Sequence, residues 1–249
     1  MRFEEAVARL ERLPDPLPDP PDALAPVVVT RDELVPHDLT PATRDAAVLV
    51  LVYPGPDGDA WTVLMERPAG DLRHAGEVSF PGGAIEPDDG SAVEAALREA
   101  HEEVGIDREQ CGLRILGELG PVDVRVSGFR LHPVVAAAAR RPHLESDARE
   151  VAAIIEAPLD AFAEAAIVAV EDERAGWQLR YGAYPLAGYR VWGATARVLG
   201  QLAAVLAGDE PTVADGAARE RAYRPAPPGS RMNSSVKEVH LPSSSKTRR

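Results

Sequence analysis

Residues 67–106 read RPAGDLRHAGEVSFPGGAIEPDDGSAVEAALREAHEEVGI, and the rest of the chain is organised around them. Gly82 and Gly83 make a turn after a short strand at Glu77–Phe80. Ser91 stands where a helix N-cap belongs, and Glu94, three residues on, completes a capping box. The spacing predicts a helix from Ala92 to Val104, stopped by Gly105. Val93, Ala96, Leu97, Ala100 and Val104 fall on one face of it. Glu99, Glu102 and Glu103 fall on another, because residues three and four apart are neighbours on a helix.

Outward from this helix the chain alternates strand and helix signals. Asp45–Tyr53 (DAAVLVLVY) is a continuous apolar run of strand length, the pattern of a strand buried on both faces. Pro54–Asp59 is a turn, and Trp61–Glu66 is the returning arm of a hairpin. Residues 68–76 read as a loop. Strands are expected at Val27–Thr30, Leu113–Leu119, Phe129–Ala136, Arg149–Glu156 and Trp177–Tyr184, the last extended by Tyr189–Trp192 after a turn. Helices are expected at residues 3–11, Leu159–Ala165 and Gly193–Leu206. Leu13–Asp22 (LPDPLPDPPD) is a stiff proline-rich connector. The expected division is an N-terminal helix and arm over 1–44, a main folded domain over 45–207 and a disordered tail over 208–249.

Composition narrows the function. The 249 residues carry a net charge of -13. Residues 208–249 hold eight basic and five acidic side chains, which leaves about -16 on the body, and the only lysines are Lys237 and Lys246, both in the tail. Such a surface repels nucleic acid. No apolar run reaches the length of a membrane span. The single cysteine, Cys111, excludes a disulfide framework and a zinc–thiolate site and fits a reducing, cytoplasmic setting.

A row of glutamates on a helix is ordinarily a solvated face. Three features set this one apart. Its only close cation is Arg98, like charges one turn apart repel by a few tenths of a kcal/mol, and a Gly-Gly turn just upstream lets a backbone carbonyl approach. Three carboxylates within two turns make a hard oxygen site suited to Mg²⁺ or Mn²⁺ bridging phosphate oxygens. The chemistry served by such a site is attack of water on a phosphoanhydride.

Gly83 to Ile106 resembles the Nudix box, GX5EX7REUXEEXGU with U aliphatic. Arg98-Glu99-Ala100-His101-Glu102-Glu103-Val104-Gly105-Ile106 matches its second half in full. In the first half Asp89 stands for the glutamate, and eight residues separate it from Arg98. That insertion resembles the coenzyme A pyrophosphatase branch, as does the upstream pattern Val63-Leu64-Met65-Glu66-Arg67, Gly76, Phe80-Pro81-Gly82-Gly83. Pro68 replaces a Ser or Ala of that pattern, and its inner arginine falls at Arg73.

The resemblance implies a Nudix-like α/β/α sandwich with a mixed sheet, and a pyrophosphohydrolase dependent on Mg²⁺ or Mn²⁺. The implied substrate is coenzyme A or acyl-coenzyme A, cleaved to 3',5'-ADP and (acyl-)4'-phosphopantetheine. It implies Glu99, Glu102 and Glu103 as catalytic metal ligands, with Glu99 nearest the attacking water, the Gly83 carbonyl completing the coordination, and Arg98 pairing back to Asp89. A later carboxylate completes such sites; Glu150 is the choice, with Glu145 and Asp147 as competitors. Arg67, Arg73, His74 and Gly82 are the expected substrate contacts. Two alternatives are a Nudix hydrolase of another derivative (ADP-ribose, NADH or a nucleoside triphosphate) and a non-catalytic Nudix-fold regulator, which the intact glutamates disfavour. A homodimer is compatible with this reading. Arg125 and Arg130 flank a loop that could reach a nucleotide, His101 turns away from the metal face, and Trp192 and Cys111 read as core.

Overall fold

The computed structural model describes residues 1–30, 33–36, 42, 44–69, 76–124, 127–174 and 177–208. Four helices are described: α1 (Phe3–Leu10), α2 (Ala92–Val104), α3 (Arg108–Cys111) and α4 (Gly193–Ala207). The strands are β1 (Val27–Thr30), β2 (Glu33–Pro36), β3 (Arg44–Pro54), β4 (Ala60–Glu66), β5 (Val78–Ser79), β6 (Gly82–Ala84), β7 (Leu113–Glu118), β8 (Val122–Val124), β9 (Phe129–Ala138), β10 (Ala153–Pro158), β11 (Val168–Arg174), β12 (Trp177–Leu186) and β13 (Tyr189–Val191). Of the tail expected over 208–249, residues 209–249 lie outside the described residues, as do Arg73, His74 and Arg125.

The main sheet has the order β10-β4-β3-β9-β7, with β5, β6 and β8 attached to β4, β3 and β9. It is mixed: β3 and β9 run parallel, and the remaining pairs are antiparallel. Strand β3 is its axis, buried over the eight residues Ala46–Tyr53. Side chains alternate across a strand. Ala47, Leu49, Leu51 and Tyr53 therefore pack toward Ala95, Ala96, Ala100 and Val104 of α2. Val48, Val50 and Val52 join the opposite core, which contains Ala6 and Leu10 of α1 and Val198, Leu199 and Leu202 of α4. Each fully buried aliphatic side chain contributes roughly 1.5–3 kcal/mol, which accounts for the unbroken apolar run. The result is the expected α/β/α sandwich.

A fork in the sheet sets the position of the site. Strand β3 pairs with β4 only over Val52–Pro54, and at Ala46–Val48 its partner is β6. The segment from Val78 to Ala84 wedges into the gap, with β5 on β4 and the Leu49 N–H donating to the Pro81 carbonyl at 2.9 Å. Gly82 lies so close to β3 that a Cβ there would stand 2.3 Å from the Ala47 carbonyl oxygen, and its φ is +154°. Only glycine fits.

Several elements differ from the sequence expectation. A second antiparallel sheet, β11-β12-β1-β2 with β13 on β12, has its own small core of Val28, Leu179, Tyr181 and Ala183. Strands β2, β6, β8 and β11 and helix α3 are additional to the expected elements. The strand expected from Arg149 begins at Ala153, because Asp147 organises a turn: its side chain accepts from the Arg149 N–H (2.9 Å) and its carbonyl from those of Glu150 and Val151. The expected helix after Pro158 is two 3₁₀ turns, Leu159–Phe162 and Glu164–Ala166. The proline-rich stretch lies on α4, where the Gln201 amide donates to the Pro18 carbonyl (2.9 Å) and accepts from the Gly120 N–H (2.9 Å). No helix among the described residues is long and apolar enough to cross a membrane.

One buried charge in the frame is testable. Glu156 on β10 accepts from the Tyr53 hydroxyl (2.7 Å) and twice from Arg141 (2.7 and 2.6 Å). Burial works to raise its pKa, but the hydrogen bonds from Arg141 and Tyr53 outweigh it and hold the group below its ordinary value. A depressed carboxylate stabilises the fold above its unfolded pKa and loses that contribution as pH falls through the folded one. Glu156→Gln should therefore cost about 1–2 kcal/mol at neutral pH, discounted for its partial exposure. Urea unfolding of both proteins should show the difference constant above about pH 5 and beginning to close only as the pH falls below about 4.

Candidate active site

Helix α2 is capped as expected at its start and end. Ser91 Oγ accepts from the Glu94 N–H (3.2 Å), and Gly105 is left-handed with φ +70°. The capping box is altered: the Glu94 carboxylate accepts from the Gly90 N–H (2.8 Å). Alanines at 95, 96 and 100 bring the helix close to the sheet, and this submerges one end of the glutamate row. Exposure rises from 3% for Glu103 through 14% for the Glu99 side chain to 56% for that of Glu102. The three carboxylates thus run from core to solvent and do not share one solvated face.

Glu103 Oε2 accepts from the Gly82 N–H at 2.8 Å. Burial pushes its pKa up to about 7, against the pull of that N–H and of Arg67, and the charges of Glu99 and Glu150 add to the rise. Burial also raises Glu99, opposed by Arg98. Its carboxylate lies directly over Gly83, where a Cβ would come within 2.5 Å of it.

Arg98 ties the array together. Its Nε and Nη2 donate to the two oxygens of Asp89 at 3.0 and 2.9 Å, and Nη2 also reaches the Ala84 carbonyl at 3.2 Å. Nη1 bridges Glu99 (3.0 Å) and Glu102 (3.1 Å). The fork on Asp89, reinforced by the Glu86 N–H, holds that carboxyl at about 2. The pairing expected between Arg98 and Asp89 is present.

Arg67, Gly82, Gly83, Glu99, Glu103 and Glu150 line one cavity of about 900 Å³. Of the three later carboxylates weighed from sequence, Glu150 reaches this cavity. Asp147 is held by Arg149, and Glu145 packs beside Gly105. Gly82, expected as a substrate contact, gives its N–H to Glu103. Arg130 lines the cavity but pairs with Asp123 at 2.9 Å. His101 is exposed, and Cys111 is buried. Trp192, expected in the core, is half-buried and lines the cavity together with Phe129, Thr195 and Arg197.

Among the described residues no three carboxylate, imidazole or thiol groups form a ready-made cation cage; Arg98 occupies two of the carboxylates. The donor chemistry nevertheless suits a hard divalent cation. The groups are oxygens, and two acids with raised pKa values, Glu103 buried and Glu99 part-buried, face the cavity with Arg67 and Arg98 beside them.

Residues 43–176 match the NUDIX domain. The chain belongs to the Nudix hydrolase family. It is 43% identical over 185 residues, spanning 70% of this chain and 91% of the other, to a protein of Pectobacterium atrosepticum named "Uncharacterized Nudix hydrolase NudL". A protein of the same name from Photorhabdus laumondii is 36% identical over 170 residues, 68% and 88% of the two chains. Among solved structures, the Nudix hydrolase RenU of M. smegmatis aligns over 54% of this chain and 80% of its own at 25% identity, with a TM-score of 0.40. As a Nudix hydrolase the chain is a pyrophosphatase that acts on a small nucleoside diphosphate derivative.

The two glycines of the turn should respond differently to a methyl group. In Gly83→Ala the obstacle is the movable end of Glu99, so the melting temperature should stay within a few degrees while turnover falls. In Gly82→Ala the obstacles are the Ala47 carbonyl and the Val48 Cα, so the fold itself should be lost or lowered by about 3 kcal/mol or more. Paired melting curves and rate assays separate these outcomes; a destabilised Gly83→Ala with normal turnover would contradict the arrangement.

Proposed function

We propose that this Nudix enzyme uses Mg²⁺ or Mn²⁺ to hydrolyse the diphosphate of coenzyme A or acyl-coenzyme A. The products are adenosine 3',5'-bisphosphate and 4'-phosphopantetheine or its acyl form. The observation that carries this reading is the arrival of two sequence patterns at one cavity. Glu99 and Glu103 belong to the box, whereas Arg67 and the Gly82-Gly83 wedge belong to the upstream pattern that resembles the coenzyme A branch. The β3–β4 fork is what brings them together.

Each residue then has a task. Glu99, Glu103 and Glu150, with Glu102 from the rim and the Gly83 carbonyl, hold the cation. When bound, the cation neutralises charge developing on the diphosphate oxygens. Glu99 accepts the proton of the attacking water. Water adds to one phosphorus, and the bridging oxygen leaves with the other phosphate. Arg98, anchored on Asp89, keeps Glu99 and Glu102 oriented. Arg67 binds the diphosphate, with a guanidinium fork matched to phosphate oxygens. Arg73 and His74, which precede Gly76 in sequence, belong to the same reading as further substrate contacts.

Incubation of the protein with coenzyme A and Mn²⁺ should yield 3',5'-ADP. Consumption of ADP-ribose, NADH or a nucleoside triphosphate without any 3',5'-ADP from coenzyme A would sink the substrate assignment and leave the hydrolase. Glu102→Gln should lower kcat by about 100-fold or more; unchanged cleavage would remove Glu102 from the metal site.

Cation binding has its own pH signature. With its pKa near 7, Glu103 is largely protonated in the free protein below that pH, and coordination requires the carboxylate. Mn²⁺ uptake at about pH 6 should therefore release protons, and affinity should rise with pH up to about 7. Calorimetry in two buffers of different ionisation enthalpy measures the release. Glu103→Gln should sharply reduce it.

A further inference from the structure

The cavity extends well beyond the carboxylates. Ala25, Pro26, Leu179, Trp192 and Arg197 line its other part, and all five lie outside the residues 43–176 that match the NUDIX domain. They come from the approach to β1, from β12 and from the junction of β13 with α4. The second sheet and the last helix therefore contribute wall that the family domain does not.

Three arginines line the cavity among the described residues. Arg130 is paired with Asp123. Arg67 acts on Glu103 at the carboxylate end. Arg197 is half-buried and makes no ion pair or hydrogen bond among the described residues. A partly buried guanidinium without an anion among the described residues, on a body of about -16, is poised for an anionic ligand group.

Its surroundings agree with that role. The first turn of α4 contains no acidic residue, so the positive end of the helix reinforces the guanidinium. Thr195 Oγ1 donates to the Val78 carbonyl at 3.0 Å, which fixes this turn to the strand that leads into the Gly82 wedge. The span between Arg197 and the carboxylates is thus set by buried structure. Trp192 lies just before α4, braced by Tyr181 with ring centroids 4.8 Å apart. An aromatic ring and a cation in the wall of one cavity suit a nucleobase that carries an extra phosphate.

We propose that Arg197 and Trp192 form a subsite for the nucleoside end of the substrate. Trp192 stacks on the adenine, and Arg197 binds a phosphomonoester on the ribose, separate from the diphosphate held at Arg67. This rests on the coenzyme A reading, since coenzyme A carries such a group at its 3'-position. Arg197 is then the residue that selects for the third phosphate.

The test compares coenzyme A with 3'-dephospho-coenzyme A, which has the same diphosphate and lacks only that group. The wild-type kcat/KM ratio should favour coenzyme A, and Arg197→Gln should lower the ratio by about 10- to 100-fold. Arg197→Lys, which retains charge and stem, should keep part of it. Trp192→Leu should raise KM for both compounds, because both contain adenine. Without metal, calorimetry should show Arg197→Gln weakening adenosine 3',5'-bisphosphate about 10-fold more than AMP. An unchanged ratio, or an equal loss on both compounds, overturns the subsite while coenzyme A cleavage stands. Cleavage of neither compound by the wild type overturns the coenzyme A reading and the subsite with it.

Discussion

The hydrogen bond from the Gly82 N–H to the buried Glu103 carboxylate is the contact on which the rest depends. A carboxylate removed from water and met by a single backbone donor is poorly compensated. The strain appears as an acid whose pKa rises to about 7. Two features of the frame hold it in that position. The alanine face of α2 draws the helix onto β3. The wedge from Val78 to Ala84, lodged in the β3–β4 fork, presents the Gly82 N–H at the one height where Glu103 can reach it. A bulkier helix face or a closed β3–β4 hairpin would remove the site and leave a more ordinary sandwich.

Arg98 shows how the exposed half of the same array is kept from repelling itself. Three carboxylates converge on one guanidinium: Asp89 takes the two-pronged grip, and Glu99 and Glu102 share the remaining nitrogen. The allocation matters chemically. The strong anchor lies on the side away from the cavity, so the arginine stays in place when its weaker contacts are given up. A cation that claims Glu99 and Glu102 then displaces one shared donor and not the whole network.

What was legible in the sequence follows from what is local. The span and caps of α2, the buried run of β3 and the Arg98–Asp89 pair depend on residues a few positions apart or on a motif with fixed spacing. The burial gradient along the glutamates was not legible, because it depends on how closely alanines bring the helix to a strand some fifty residues earlier. The second sheet was missed for a related reason. Strand β1 pairs with β12, register Val27 to Arg180, and nothing in a four-residue apolar run names a partner at that separation. Trp192 followed from the same cause: without the pairing that sets β12 and Tyr181 beside the cavity, its position before an apolar helix read as core. Asp147 illustrates a short-range failure, in which a side chain captured the backbone and delayed the strand to Ala153.

The two halves of the cavity differ in how they are encoded. The carboxylate half is lined from one contiguous motif, whereas the other half is lined from β12 and α4, elements expected from the sequence whose assembly against the motif was not. A reaction on a phosphoanhydride requires a fixed set of oxygens and one arginine at fixed spacing, so its half must be written in a contiguous motif. Recognition of what lies beyond the diphosphate carries no such constraint. It can be assembled from any wall that the tertiary fold brings near, here from β12 and the start of α4, tied to the motif by the Thr195–Val78 hydrogen bond. That single buried bond fixes the wall from outside the family domain to the strand that leads into the Gly82 wedge, so the two halves of the cavity are held in register by the fold alone.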